Sequence, residues 1–248
     1  MSRKLPFKLH KLPLAILLFA CVLGLFGCTS EGSSAQSTQL ATDETDAVIA
    51  PISTMSDSFD WSSIEPLAIS CAPWGEVSDI SATVQLCYSL EDQALYLRFC
   101  AIEPEVRATY AADDIDGRPW EDSCLEFFFS TAGRESRYLN IECNPNGCLR
   151  IEVGEGRENR VQLLPSSTGI EPVTSLTSEG WTLEYAVPFT LINQVFDGFH
   201  AESGATIYAN FYKCGNKTAS PHYLSWHNMT SESPDFHRPQ DFGMLVFG

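Results

Sequence analysis

The stretch from Tyr138 to Val153 constrains the fold more than any other segment of the chain. Leu139, Ile141 and Cys143 alternate with Asn140, Glu142 and Asn144, and after a short gap Leu149, Ile151 and Val153 alternate with Cys148, Arg150 and Glu152. A period of two is the signature of a half-buried strand. The two apolar sets share a face only if Ile141 sits opposite Ile151. That register makes Pro145-Asn146-Gly147 a three-residue loop with glycine in the left-handed position, a favoured hairpin connection. It also sets Glu142 against Arg150 and Cys143 against Leu149. A Cys143–Cys148 disulfide is therefore not expected, despite their nearness in sequence.

Other segments read the same way. Ala82–Tyr88 and Ala94–Ala101 flank the turn-like Leu90-Glu91-Asp92-Gln93 and predict a second hairpin. Ser123–Phe129 predicts a strand with Ser123, Leu125, Phe127 and Phe129 on one face and Asp122, Cys124, Glu126 and Phe128 on the other. Trp181–Pro188, Thr206–Lys213, His222–Trp226 and Met244–Phe247 complete the set, with Phe189–Phe196 a short helix or a turn. About eight short strands in one domain, with 15 Phe, 16 Gly and 14 Pro, favour an all-β sandwich over a helical bundle. No repeat of fixed period is visible.

The beginning of the chain reads differently. Arg3, Lys4, Lys8 and Lys11 precede an apolar run from Leu14 to Gly27, which is short of the roughly 20 residues a spanning helix needs and reads as a signal-peptide core. Its end, Leu25-Phe26-Gly27-Cys28, resembles a bacterial lipobox, with Cys28 the lipidated residue. The reading divides the chain into a signal peptide (1–27), a Ser/Thr/Ala/Gln-rich tether (28–56) and a globular domain (57–248). Within the tether, Ala47–Ile52 is apolar enough to dock as a first strand. A membrane-anchored lipoprotein of the cell envelope, at the outer membrane or cell surface, is the expected location.

The net charge of −17 argues against nucleic-acid binding, where affinity comes largely from Lys and Arg. Seven cysteines follow Cys28, an odd number, and no CxxC pair occurs, so neither complete disulfide pairing nor a structural zinc site is expected from spacing. No GxSxG, P-loop, HExxH or dinucleotide glycine motif is present. With 32 acidic residues, a glycosidase pair is not inferable from spacing. Asp113, Asp114 and Asp116 lack the spacing of an EF-hand and read as a solvated turn. His222, His227 and His237 near Cys214 read as loop hydrogen-bonding groups, and Met229 and Met244 offer no evident haem ligand pair.

What remains is a polar strand face. Glu126, Asn140, Glu142, Asn144 and Arg150 project from neighbouring strands, with Trp120 and Trp226 near them in the chain. Flat rings stacking on a sugar, with carboxylate, amide and guanidinium groups binding its hydroxyls, is how carbohydrate is recognised. The same pattern is also what the solvent side of a sandwich with core tryptophans presents.

Five segments resemble the family 9 carbohydrate-binding modules and their single-domain bacterial relatives. They are Trp120–Phe129, Tyr138–Asn144 with Gly147, Asn210–Gly215, His222–Trp226, and Asp235–Pro239 followed by Phe242-Gly243. The resemblance runs in order over roughly residues 60–248. It implies an immunoglobulin-like or jelly-roll β-sandwich that binds oligo- or polysaccharide of the xylan or cellulose type and is itself non-catalytic. It implies Trp120 as one ring of a two-ring clamp on a terminal sugar, and Glu126 as the hydroxyl-binding carboxylate. Asn140 stands where the family has Arg, and the second ring falls to Trp226, Phe236 or His237. Xylanase-linked members carry structural calcium, which the resemblance extends here as an expectation. Two rival functions are a small glycoside hydrolase using Glu126 with Glu142 or Asp122, and a haem-binding sandwich.

Overall fold

The computed structural model describes residues 45–248. Cys28, the leader and most of the expected tether lie outside the described residues.

Among the described residues there are thirteen strands: β1 (Ala47–Ile52), β2 (Leu67–Ile69), β3 (Ser81–Ser89), β4 (Ala94–Ile102), β5 (Cys124–Ser130), β6 (Tyr138–Cys143), β7 (Leu149–Gly154), β8 (Val161–Gln162), β9 (Val173–Leu176), β10 (Gly180–Pro188), β11 (Thr206–Cys214), β12 (Tyr223–Ser225) and β13 (Gly243–Phe247). Helices are minor: α1 is Pro165–Thr168 and α2 is Phe189–Val195. Among the described residues, no helix is long and apolar enough to cross a membrane.

One layer runs β8-β7-β6-β5-β11-β13, with β12 on β11. The other runs β3-β4-β10-β9, with β2 on β3. β1 joins them. Ala47–Ile49 pairs parallel with β13, then Ala50–Ile52 pairs parallel with β3. The strand therefore lies inside the segment expected to be tether, and the ordered fold starts earlier than residue 57. Its six residues hold one proline and one fully buried side chain, so neither length nor alternation marks it strongly.

The core between the layers is apolar. Phe127, Phe129 and Phe211 from one sheet meet Phe99, Leu97 and Leu183 from the other. The Phe127 and Phe211 rings stack at 5.1 Å, and Phe99 meets Phe211 edge-on at 6.0 Å. Both predicted hairpins form. Ile141 pairs with Ile151, Glu142 with Arg150 and Cys143 with Leu149. Gly147 takes φ +83°, and the Asn144 side chain holds the loop by accepting the N–H groups of Asn146 and Cys148 at 3.1 and 2.9 Å.

One expectation about this sheet is corrected. The alternation places Glu126, Asn140 and Glu142 on the outer face, but that face is not solvated. Every residue of β5 and β6 is buried. The segment after β12 folds back over the outer face, and a second apolar cluster of Cys124, Phe128, Tyr138, Tyr212, Phe236 and Phe242 fills the space.

A buried ion cluster ties the two layers near β11. The Lys213 ammonium is fully enclosed and donates to Glu103 Oε1 (3.1 Å), to the Cys214 carbonyl (3.1 Å) and to His222 Nε2 (2.7 Å), using all three of its protons. His222 Nδ1 meets the Ser220 carbonyl at 2.8 Å, which fixes Nδ1 as donor and Nε2 as acceptor. Burial, and then the nearby ammonium, push the His222 pKa down to about 4.

These contacts set expectations for stability. Ile141→Ala deletes a fully buried side chain and is expected to cost about 2–5 kcal/mol. Asn140→Ala, at a site that is enclosed and bonded rather than solvated, is expected to cost about 1–3 kcal/mol in the same denaturant titration. For His222, the native pKa lies below the unfolded value near 6.5. Its contribution is therefore complete above pH 6.5 and is lost as pH falls through 4, by on the order of 2–3 kcal/mol. His222→Gln should reduce the difference between urea midpoints measured at pH 7 and pH 4.5.

Candidate functional site: an aromatic-walled cleft on the outer sheet face

The roof over the outer face is incomplete and leaves a cleft of about 280 Å³, near the lower end of ordinary small-molecule sites. Trp120, Phe236, His237 and Tyr223 supply its rings. Glu126, Glu142 and Cys214 reach it from the strands, and Arg157 and Arg160 from the β7–β8 loop.

Each group has a local reason to be there. Trp120 sits in the single turn Pro119–Glu121, which Pro119 initiates, immediately before β5. Its carbonyl accepts the Asn216 N–H at 3.1 Å, which binds the turn to the end of β11. Its ring is only partly covered, packed against the second apolar cluster. Phe236 stacks on Tyr212 at 4.0 Å, with rings 13° apart, and its carbonyl accepts the Tyr212 hydroxyl at 3.2 Å. His237 meets the Tyr138 hydroxyl through Nδ1 at 2.8 Å. Burial and then the two arginines push its pKa down to about 3, so the ring is neutral at pH 7.

Arg160 lies over the Tyr138 ring at 4.3 Å and donates to Asn140 Oδ1. Asn140 in turn donates to Glu142 Oε1 at 2.8 Å. Asn140, which stands where the family has Arg, thus holds the Arg160 guanidinium from one loop away. Arg157 closes the rim through Asp235 at 2.7 Å.

Glu126 and Glu142 stand opposite each other on β5 and β6. Burial comes first in pushing both carboxyl pKa values well above the ordinary range. The neighbouring Cys214 thiol adds to this at Glu126, and Glu126 itself adds to it at Glu142. A carboxyl kept protonated both donates and accepts, as a sugar hydroxyl does.

Of the residues singled out from the sequence, Trp120, Glu126, Phe236 and His237 line this cleft. Asn140 stands behind it, holding Arg160 and Glu142. Arg150 does not line it; its guanidinium pairs with Glu152 at 2.6 Å. Trp226 does not line it either. Its ring meets Phe211 at 5.4 Å and packs on the main core, lying so close to Gly243 that a Cβ there would fall 2.7 Å from it. The glycine after Phe242 is room for that ring. Asp122 is committed elsewhere. Its carboxylate accepts the backbone N–H groups of Thr109 and Tyr110 and the Asn144 amide, anchoring the loop before β5. Sequence reasoning missed Arg157, Arg160 and Tyr223. The charged run Glu155-Gly-Arg-Glu-Asn-Arg160 was the available signal for the two arginines.

The acidic loop does not fit calcium. Asp113, Asp114 and Asp116 are exposed, and Asp114 Oδ1 accepts the Asp116 N–H in its own turn. Among the described residues their carboxylates do not converge, and no histidine joins a cluster of metal ligands. Met229 is turned to the Asn210 amide, so it too is occupied.

A second cleft, of about 310 Å³, lies beside His222 and is lined by Glu76, Asp79, Glu103 and Glu105, without Trp, Tyr or Phe. It has no platform on which a sugar ring could stack.

A two-layer sandwich with an aromatic-walled polar cleft on one sheet is the architecture of jelly-roll ligand-binding modules. The chain belongs to carbohydrate-binding family 9, which it matches over residues 53–247. A Bacteroides uniformis protein described as a candidate carbohydrate-binding protein is 29% identical, with TM-score 0.70 over 82% of this chain and 99% of that one. The fold is also that of a family 9 module from Caldicellulosiruptor kristjanssonii, solved with glucose and with cellotriose. Both structures are 13% identical to this chain, with TM-score 0.56. The glucose complex covers 83% of this chain and 96% of that one, the cellotriose complex 81% and 93%. No curated protein matches the chain.

The cleft geometry predicts a division among the aromatic residues. Trp120→Ala and Phe236→Ala should each weaken sugar binding by more than about 2 kcal/mol, roughly thirtyfold, in calorimetry. Trp226→Ala should lower the melting temperature and leave affinity little changed.

Proposed function

We propose that this chain is a non-catalytic binding protein for the ends of β-linked glucan or xylan chains. A terminal sugar would rest against Trp120 with Phe236 opposite, its hydroxyls bound by Glu126 and Glu142 on the cleft floor and by Arg157 and Arg160 at the side. The observation that carries the reading is the cleft in which a partly exposed Trp ring, two buried carboxyls and two arginines come together. The related module's complexes with glucose and cellotriose support a glucan of this type.

The hydrolase alternative is less well served by the same residues. Glu126 accepts the Cys214 thiol proton at 2.9 Å, Glu142 is held by Asn140, and Asp122 is buried under a loop. Calorimetry with cello- and xylo-oligosaccharides, followed by product analysis of the same mixtures, tests both readings. Binding without cleavage is expected, and Glu126→Gln should weaken it by roughly 0.5–1.5 kcal/mol, the worth of a neutral hydrogen bond. Turnover abolished by Glu126→Gln would overturn the proposal.

The reading extends to location. The basic leader, the short apolar run and Leu25-Phe26-Gly27-Cys28 support export and lipid anchoring, which would hold the module at the cell envelope to capture polysaccharide for breakdown. Cys28→Ala is expected to move the protein from the membrane to the soluble fraction. Unchanged fractionation would refute the anchor.

A further inference from the structure

Cys124 and Cys214 are far apart in sequence but directly opposite where β5 meets β11. Glu126 lies two residues along on the same face. The two sulfur atoms and a Glu126 carboxyl oxygen lie within 4.8 Å of one another, and the Cys214 thiol donates to Glu126 Oε1 at 2.9 Å. Both cysteines are free thiols, and all three side chains are almost wholly enclosed.

A second observation points to a ligand at this place. Glu142, across from Glu126, carries a buried oxygen, Oε2, that has no hydrogen-bond partner among the described residues. An enclosed carboxyl oxygen left unpaired is costly. Two acids and two thiols gathered around one point lower that cost if a cation shares the site.

We propose that Cys124, Cys214 and Glu126 form a binding site for a borderline-soft divalent cation, Zn²⁺, whose fourth position faces the cleft and Glu142. The donor set selects the metal class. Thiolate sulfur excludes Ca²⁺ and Mg²⁺, which take oxygen, and three protein donors with one open position suit tetrahedral zinc. Donors around zinc at about 2.0–2.3 Å stand about 3.3–3.8 Å from one another, so small side-chain rotations bring this trio to that spacing. On loading, two Zn–S bonds and one Zn–O bond form, and the thiol protons, with the carboxyl proton where it is present, leave to solvent. The inference is independent of sugar binding, because metal occupancy is read directly.

The test uses the full-length protein, reduced and freed of metal, titrated with Co²⁺ as a spectroscopic stand-in and then with Zn²⁺. A thiolate-to-cobalt charge-transfer band that saturates at one equivalent and is displaced by Zn²⁺ is expected. Cys214→Ser and Glu126→Gln should each weaken the metal by roughly tenfold or more, while Cys100→Ser, on the other sheet, should not. Metal analysis of the wild-type protein after gel filtration gives a readout that needs no variant: about one Zn²⁺ per chain should be retained. Absence of the band from fully reduced protein would overturn the proposal, as would an unchanged zinc content in Cys214→Ser. Peptide mapping that finds Cys124 joined to Cys214 as a disulfide in the isolated protein would do the same.

Discussion

The pairing of β5 with β11 is the constraint on which the rest of the molecule depends. Both strands are covered on both faces. Phe127 and Phe211 stack in the main core, while Glu126, Tyr212, Cys124 and Cys214 look outward under the C-terminal segment. A one-residue slip would send the acids inward and the phenylalanines into the cleft. The cleft inherits its accuracy from that penalty. The floor groups sit on strands in the middle of a sheet rather than on loops, the more precise way to hold a binding constellation.

The roof matters as much as the floor. Tyr212, Phe236, Phe128, Tyr138 and His237 form one run of packed rings between the sheet and the returning chain. Arg157 and Asp235 join the β7–β8 loop to the same segment. The cleft is therefore built from three regions distant in sequence, and its two sides are tied to each other as well as to the sheet.

Much of this was legible in the residues. The alternation in Tyr138–Val153 specified the hairpin register, its loop and the position of Gly147, because a half-buried strand leaves one arrangement of its apolar set. The same alternation placed Glu126 and Asn140 on the correct face. It could not reveal that the face was covered, because the cover comes from residues some 90 positions further on whose own pattern is irregular. Trp226 was drawn to the site by its type and its neighbourhood in the chain, yet its contacts are set by the space Gly243 leaves. The contact of Arg160 with Asn140 was invisible, since it depends on how a loop between two strands folds back. Strands β2, β8 and β9 are too short to show a period.

The double parallel pairing of β1 has a mechanical consequence. The strand is held by β13 along its first half and by β3 along its second, and runs in the same direction as both. Traction on the chain ahead of Ala47 is therefore directed along the strand axis. It loads the hydrogen bonds of both sheets sideways and together, where an antiparallel hairpin pulled from its open end would unzip rung by rung. Resistance to such force is a property of the unfolding barrier rather than of equilibrium stability. The strand that closes the sandwich is thus also placed to act as its strain relief.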